Sequence, residues 1–582
     1  MKNLILFLFN IALAAILLNC NPETKSPIEM PIGNFEWAAD QPVPKSVIQN
    51  TRAFRERLLE DPYRPAYHFT VPEDNGVPGD PNGTFYYNGR YHLMYLYLRE
   101  GAGFAWGHVS SNDLLHWRHH PDAIGEGKSD DGPGNQEDGV FSGGAFVDDD
   151  GKAVITYWQF VNGNDDPSTF EDGKFGISIA ESTDEHFDNW TKIQANPVIP
   201  STDWGITTTT NENGDELIYG SADPSQIWKK DGRYYMLTGN LLVLRKYGLG
   251  PDARDDSVKY QGDHLYLFVS DDLEKWEYVH EFYERNPEWT AKTEDNMCPS
   301  FLPLPSRPDG GPPSDKHLLL FISHNIGCQY YVGSYRDDKF YADNHGRMTW
   351  TDNDYFAPEA MIDGQGRQIM WAWLHDGIAD SLKDTPRDER WANDYYGWTG
   401  TYGLPRSLWL GEDGTLRMRP VKELEQLRIN EKTADNLTIE GDTEMALDGF
   451  GHELLEMEVT IEPGSANQAG VMIGCSKDGR EQTALVYDAT EKQLKVDATR
   501  SSLDTGVRSV EAAPFELKAG EPLVLRIFVD RSVVEVYAND RQAIGRRIYP
   551  RLGGTDVKVF AKGGDAKVIS VKRWEMMPSN PY

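Results

Sequence analysis

The chain has 582 residues, including 16 Trp, 28 Tyr, 23 Phe and four Cys, and its 92 acidic against 57 basic side chains give a formal charge of −35. That length exceeds one compact domain, so two or more are expected. The aromatic content excludes an acidic disordered chain, and the negative balance excludes a nucleic-acid binder, whose affinity comes from Lys and Arg on phosphates. Four cysteines cannot make a disulfide framework, and high Gly, Trp and Tyr with short apolar runs predict an all-β protein.

Met1-Lys2-Asn3 leads into an apolar run from Leu4 to Leu18. This is a segment of signal-peptide length, shorter than the ~20 residues of a membrane span. It ends in Leu17-Leu18-Asn19-Cys20, which resembles a bacterial lipoprotein signal with Cys20 as the lipidated mature N-terminus. Asn19 departs from the small residue usual before that cysteine. The alternative is an ordinary cleaved signal with an incidental Cys. Either way the protein is expected to be exported, and a lipid on Cys20 would hold it to the membrane at the cell surface or in the periplasm. Residues 1–20 are thus the signal and 21–62 a tether and lead-in. Cys298, Cys328 and Cys475 remain, as free thiols or one bridge.

Hairpins with Asn-Gly or Asp-Gly turns then recur. TFYYNGRYHLMY (Thr84–Tyr95) and QIWKKDGRYYML (Gln226–Leu237) align through the turn, the Arg-Tyr pair and the apolar strand. VDDDGKAVITYW (Val147–Trp158) and MIDGQGRQIMWAW (Met361–Trp373) are weaker relatives. Such turns need positive φ, which Asn, Asp and Gly tolerate. A second element also repeats, an Asp followed by a Trp after a strand, ending at Trp117, Trp190 and Trp276. Supersecondary units repeated in this way predict propeller blades, five of them over residues 63–412. A sandwich with chance turn similarity is the plain alternative. Residues 413–435 read as a linker with a helix-compatible stretch, Val421–Lys432. From 436 to 582 the pattern alternates with a period of two, in His452–Glu462, Ala469–Ser476, Thr483–Ala489, Leu523–Asp530 and Val533–Asp540, which predicts a β-sandwich.

The chemistry is sought where inner propeller strands begin, because they converge on a central funnel. Asp80 precedes Pro81 ahead of the first hairpin, and Asp223 precedes Pro224 at the equivalent place ahead of the matching one. A residue before Pro is held extended. Glu294 and Asp295 lie ahead of a third strand, Ser300-Phe301-Leu302. A lone Asp-Pro is most often a turn or cap, but these are register-matched. Carboxylates on one axis suit glycoside hydrolysis, which needs one near the leaving oxygen and one near the anomeric carbon. No Gly-rich phosphate loop and no metal-ligand spacing stand out, so neither a cofactor nor a metal is expected.

The motifs together resemble glycoside hydrolase family 32, the invertases, inulinases and levanases. Gly79-Asp80-Pro81-Asn82-Gly83 is similar to N-D-P-N-G, and Trp106-Gly107-His108 through Trp117 to W-G-H-x-x-S-x-D-L-x-x-W. Phe141-Ser142-Gly143-Gly144 resembles F-S-G-S, Ala222-Asp223-Pro224 resembles R-D-P, and Cys298-Pro299 lies where E-C-P is expected. Tyr355–Pro358, Gly397-Trp398, Leu404-Pro405-Arg406, Arg419-Pro420 and Asp530–Tyr537 match later blocks in order. The resemblance implies a five-bladed propeller with a C-terminal sandwich and a retaining β-fructosidase acting on levan, inulin or sucrose. It implies Asp80 as nucleophile, Asp223 as transition-state stabiliser and a Glu as acid/base. Asn82, Trp106 and Ser142 are candidate sugar contacts, and Trp158, Trp371, Trp373 and Trp398 are candidates for further platforms or for blade cores, which also need Trp. Met297 stands where the family acid directly precedes Cys-Pro, so Glu294 is the expected acid, with Asp295 its rival. Ala222 replaces the R-D-P arginine, Gly79 replaces the first Asn, and the family Gln has no match near Leu96. The competing expectations are a related arabinan- or xylan-type furanosidase and a fructan-binding lipoprotein without turnover.

Overall fold

The computed structural model describes residues 45–72, 76, 79–99, 103–128, 131–132, 134–148, 150–160, 175–250, 257–351, 353–375, 398–503 and 509–580. The signal, Cys20 and the tether up to residue 44 lie outside the described residues.

The turn chemistry sets the first strands. Tyr87 pairs with Arg90 across Asn88-Gly89, whose φ values are 48° and 82°, and Lys230 pairs with Arg233 across Asp231-Gly232, at 52° and 83°. Both central residues at positive φ give the turn twist that matches the strands it joins. Five larger antiparallel sheets follow in chain order, with a two-stranded hairpin, Ile206–Thr210 and Glu216–Gly220, between the second and the third. The first holds Pro81–Tyr87, Arg90–Arg99, Gly103–Ser111 and Arg118–Ile124. The second is built mainly on Ala153–Phe160 and Gly176–Ser182, and the third on Trp228–Lys230, Arg233–Thr238, Tyr266–Ser270 and Glu277–Glu281. The fourth has Met297–Pro305, Pro313–Ser323, Gly327–Arg336 and Lys339–Arg347, and the fifth Tyr355–Ile362, Gln368–Leu374, Arg406–Leu410 and Leu416–Pro420. These are the five blades.

The Asp–Trp repeat is a structural clip. Asp113, Asp184 and Asp272 each accept backbone N–H groups from the turn that follows, at 2.9–3.1 Å. Leu114, Phe187 and Leu273 take positive φ within it. Trp190 and Trp276 donate their indole N–H to the carbonyls of Phe187 and Leu273. The ring closes through the lead-in segment: Thr70 pairs with Thr401, Tyr402 N–H donates to Phe69 and Val71 N–H to Gly400.

Two six-stranded sheets make the sandwich, and its apolar core is separate from that of the blades. The domains are joined by buried charge. Asp530 accepts the backbone N–H groups of Ala66, Tyr67 and His68 and faces His68 Nδ1 at 2.9 Å. Glu535 accepts Leu404 N–H and pairs with Arg406 Nη2 at 3.1 Å, both side chains fully buried. Burial opposes the Glu535 charge, but Arg406 and His68 hold its carboxyl at about 2. The D-x-S-x-x-E motif is therefore the clamp between domains.

The domain limits move. Leu416–Pro420 is the outer strand of blade five, so the propeller runs to 420 rather than 412. The stretch 421–432 is only a short 3-10 turn, Lys422–Leu427, followed by the sandwich strand Arg428–Ile439. The 413–435 linker reduces to that turn because the strand, mostly exposed, is fixed by pairing with the distant Ala566–Met576, which no local pattern reveals. Part of the lead-in is a helix, Lys45–Glu60.

Glu535→Gln leaves Arg406 buried without its counter-charge. Urea denaturation is expected to show a loss of about 3–5 kcal/mol; a midpoint equal to that of the unaltered protein contradicts the clamp.

Candidate active site

In four of the five blades an X-Pro step lies at or near the start of the inner strand: Asp80-Pro81, Asp223-Pro224, Cys298-Pro299 and Ala357-Pro358. Proline has no N–H to give the ladder, and the residue before it turns out of register. Asp223, Cys298 and Ala357 have φ of 38°, 49° and 47°, and pairing skips between Met297 and Ser300 and between Phe356 and Glu359. Non-glycine residues in this region cost of order 1–3 kcal/mol each and cluster at functional sites.

Asp80 and Asp223 meet at the Cys298 thiol. Cys298 Sγ lies 3.4 Å from Asp223 Oδ2 and 4.0 Å from Asp80 Oδ2, so the two oxygens are no farther apart than those distances combined. Ser142 donates to Asp80 Oδ2 at 2.8 Å. The other Asp80 oxygen, Oδ1, is buried and has no partner among the described residues. Burial raises Asp80 from 3.8 to about 6, against the Ser142 hydrogen bond and the His324 charge. Burial, then the Asp80 charge, raises Asp223 to about 7, with Asp295 adding to the push. Burial and the two carboxylates push the Cys298 thiol up, so it stays a neutral donor. Cys298, Cys328 and Cys475 are all free.

Glu294 and Asp295 point in different directions. Glu294 Oε1 accepts Ala291 N–H at 2.8 Å and pairs with Arg347 at 3.2 Å, while Oε2 accepts Gln329 Nε2 at 2.9 Å. Gln329 and Arg347 lie on the third and fourth strands of blade four, so the Glu294 carboxylate is turned outward along the blade. Asp295 turns to the end of the second strand, where its oxygens meet His324 N–H at 2.8 Å and His324 Nδ1 at 2.6 Å. Burial lowers His324, but the charge and hydrogen bond of Asp295, helped by Asp223, leave it above 6.5. Met297 is buried, its sulfur 3.4 Å from Leu241 N.

The expected sugar contacts divide. Ser142 is at the site. Asn82 is buried and spends its amide on Asp80 O and Gly143 N–H, stitching blade one to blade two. Trp106 is fully buried and donates to Phe141 O, and Trp158, Trp371 and Trp373 are buried in the propeller cores, while Trp398 packs with Leu58, Tyr63 and Tyr549 away from them, so none of the five is an open platform. The Gly79 departure has a cause: a Cβ there would lie 2.9 Å from Trp373 Nε1 and from Gly76 O. Two residues assigned no chemistry from the sequence belong to the site, Cys298 and His324. The X-Pro step that marks Asp80 and Asp223 also marks Cys298. His324 carries no such mark, because its strand end reaches Asp295 only through blade pairing. Glu359, on the inner strand of blade five, is a further buried acid held far above the carboxylate range by burial, and Thr84 donates to it at 3.5 Å.

One histidine cluster stands apart, between blades one and two. His92 Nδ1 meets His108 Nε2 at 2.9 Å, and His120 bonds Ser110 and Asp188 at 2.7 and 2.5 Å. The three could approach one ion, but these bonds already occupy their facing nitrogens and Arg90 and Arg118 stand beside them. They form a polar seam that sequence spacing does not announce.

Residues 68–420 match the profile described as "Glycosyl hydrolases family 32 N-terminal domain", and 423–575 the one described as "Glycosyl hydrolases family 32 C terminal". The chain belongs to glycosyl hydrolase family 32. It is 30% identical to a levanase of Bacillus subtilis (strain 168), over 88% of this chain and 70% of that one. It is 28% identical to a sucrose-6-phosphate hydrolase of Zymomonas mobilis, over 90% and 94%. The solved fructan 1-exohydrolase IIa of Cichorium intybus superposes with a TM-score of 0.69 at 21% identity, covering 89% of this chain and 98% of that one. The family 32 chain is thus a glycoside hydrolase with the propeller-and-sandwich fold.

The two axial carboxyls bind protons between pH 4 and 7 in the folded family 32 chain, whereas the unfolded chain loses them near 3.8. The stability they contribute is therefore present below about pH 4 and lost as pH rises through about 7. Asp223→Asn removes one of the crowded charges. Its thermal midpoint at pH 8 is expected to exceed that of the unaltered protein, with a shallower fall from pH 4 to 8; a lower midpoint with an unchanged fall contradicts the crowding.

Proposed function

We propose that the protein is a retaining β-fructosidase that hydrolyses fructans or sucrose after export, held to a membrane by a lipid on Cys20. The observation that carries the chemistry is the pair Asp80 and Asp223 on either side of one thiol, with one Asp80 oxygen free. Asp80 Oδ1 attacks the anomeric C2, the glycosidic C2–O bond breaks, and its electron pair goes to the leaving oxygen, which takes a proton. Asp223, crowded against Asp80, faces the ring on which positive charge develops and accepts hydrogen bonds from its hydroxyls. Water then attacks C2, gives up a proton, and frees Asp80. A carboxylate nucleophile with this outcome is the retaining arrangement.

The fructosyl substrate is supported by the family and by the names of its relatives, levanase and sucrose-6-phosphate hydrolase. Export and the anchor are supported by the Leu4–Leu18 run and by Leu17-Leu18-Asn19-Cys20. Ala222 is buried beside Gly205, so the contact that an arginine would give the sugar is absent there.

The purified protein is to be incubated with sucrose, inulin, levan and arabinan, and the products followed by NMR. Fructose or fructo-oligosaccharide is expected, first in the β-anomeric configuration, with a loss of about 10⁴-fold or more in Asp80→Ala, the scale on which removal of a nucleophile acts. Arabinose as product, inversion, or unchanged turnover in Asp80→Ala contradicts the reading.

A further inference from the structure

Family 32 chemistry needs a proton at the leaving oxygen, and Met297 stands at the position the resemblance assigns to the acid. Met297 is apolar and buried. Glu294 is bound to Ala291, Gln329 and Arg347 and faces away from the axis. Asp295 is 5% exposed and both of its oxygens are engaged by His324. The side chain that keeps an exposed edge at this corner is His324, 34% exposed, with Nδ1 on Asp295 and no partner on Nε2 among the described residues.

We propose that the Asp295–His324 pair, rather than a lone glutamate, is the acid/base of this enzyme: His324 Nε2 is the catalytic group and Asp295 the positioning residue. The proposal rests on the β-fructosidase reading above. Four features carry it. The pair is rigid: Ser323 Oγ donates to the Asp295 carbonyl at 2.7 Å, Asn353 Nδ2 to the His324 carbonyl at 2.9 Å, and Phe356 meets the imidazole edge-on at 5.8 Å. The ring is aimed: with Nδ1–H on a buried carboxylate, the other nitrogen points outward, the arrangement by which an aspartate fixes a catalytic histidine's tautomer and stabilises its imidazolium. The ring is close: it packs on Phe356 at the start of the inner strand of blade five, and its partner Asp295 lies three residues before Cys298, whose thiol stands between Asp80 and Asp223. The proton is available: burial and Arg245 oppose the imidazolium, but Asp295, Asp223 and Asp80 are negative and favour it.

The step balances without a further reactant. The C2–O bond breaks as the Asp80 Oδ1–C2 bond forms, and the leaving oxygen takes the proton from His324 Nε2. In the second half water adds to C2, its proton returns to Nε2, and Asp80 leaves as carboxylate.

The test compares two leaving groups on the full chain, sucrose or inulin, whose oxygen needs a proton, and β-D-fructofuranosyl fluoride, whose fluoride does not. His324→Gln is expected to lose about 10²–10⁴-fold in kcat on the glycoside, the usual worth of a positioned acid. With the fluoride it should still release one equivalent in a burst and accumulate a fructosyl–protein adduct, which azide then discharges. Asp295→Asn should keep part of the activity while the alkaline limb of its kcat/KM profile moves to lower pH. Equal loss on both substrates in His324→Gln, or a burst with azide rescue in Glu294→Gln instead, overturns the assignment. Should the unaltered protein cleave neither glycoside nor fluoride, the β-fructosidase reading fails; should it cleave both and His324→Gln match it, only the pair fails. Unaltered thermal midpoints separate these effects from misfolding.

Discussion

Asp80 and Asp223 stand beside one thiol because a ring of five blades forces the starts of its inner strands onto a common axis. Left alone, two buried like charges would separate or draw in water. Here the ring holds them, and the ring is held in turn. Thr70 pairs with Thr401 to close it, and the next residues along the lead-in, Ala66 to His68, are fixed by Asp530 of the sandwich. Glu535 reaches the other partner of the closure through Leu404 and Arg406. The sandwich thus locks the seam whose opening would relieve the crowding at the axis. Breaking a buried pair of this kind costs about 3–5 kcal/mol, larger than the strain of any one left-handed residue at the site.

Much of this was legible in the sequence because it is written in local rules. Asn88-Gly89 and Asp231-Gly232 fix their turns by positive φ, and the matched hairpins after Asp80 and Asp223 put both carboxylates at equivalent strand starts. The Asp–Trp clips announce the blades for the same reason: an Asp that caps its own turn needs no distant partner. The sandwich is visible wherever one face is buried, as in Leu523–Asp530.

What was not legible depends on contacts far apart in the chain. Trp106 reads as a sugar platform from its type alone, yet Phe141 and Gly83 bury it between blades. The charged stretch Val421–Lys432 looks helix-compatible, yet its second half enters the strand Arg428–Ile439, which pairs with Ala566–Met576. Glu294 has the residue type of an acid but the wrong direction: Gln329 and Arg347, on strands whose register is set only in the folded blade, draw it outward. Direction, rather than identity, separates Glu294 from Asp295 and brings His324 into the site. Met297, Ala222 and Gly79 stand where family residues differ, and they leave Asp80 and Asp223 in place while changing the polar groups around them.

The most direct measurement is to trap the covalent species and find the residue that bears it. A fluorinated fructosyl donor, or the fluoride with a variant slow in the second half-reaction, is to be followed by proteolysis and peptide mass spectrometry. One fructosyl unit on the peptide that carries Asp80 is the predicted result. A label on the peptide carrying Asp223 or Cys298, or turnover with no covalent species and an inverted product, contradicts the axial pair as the seat of the chemistry.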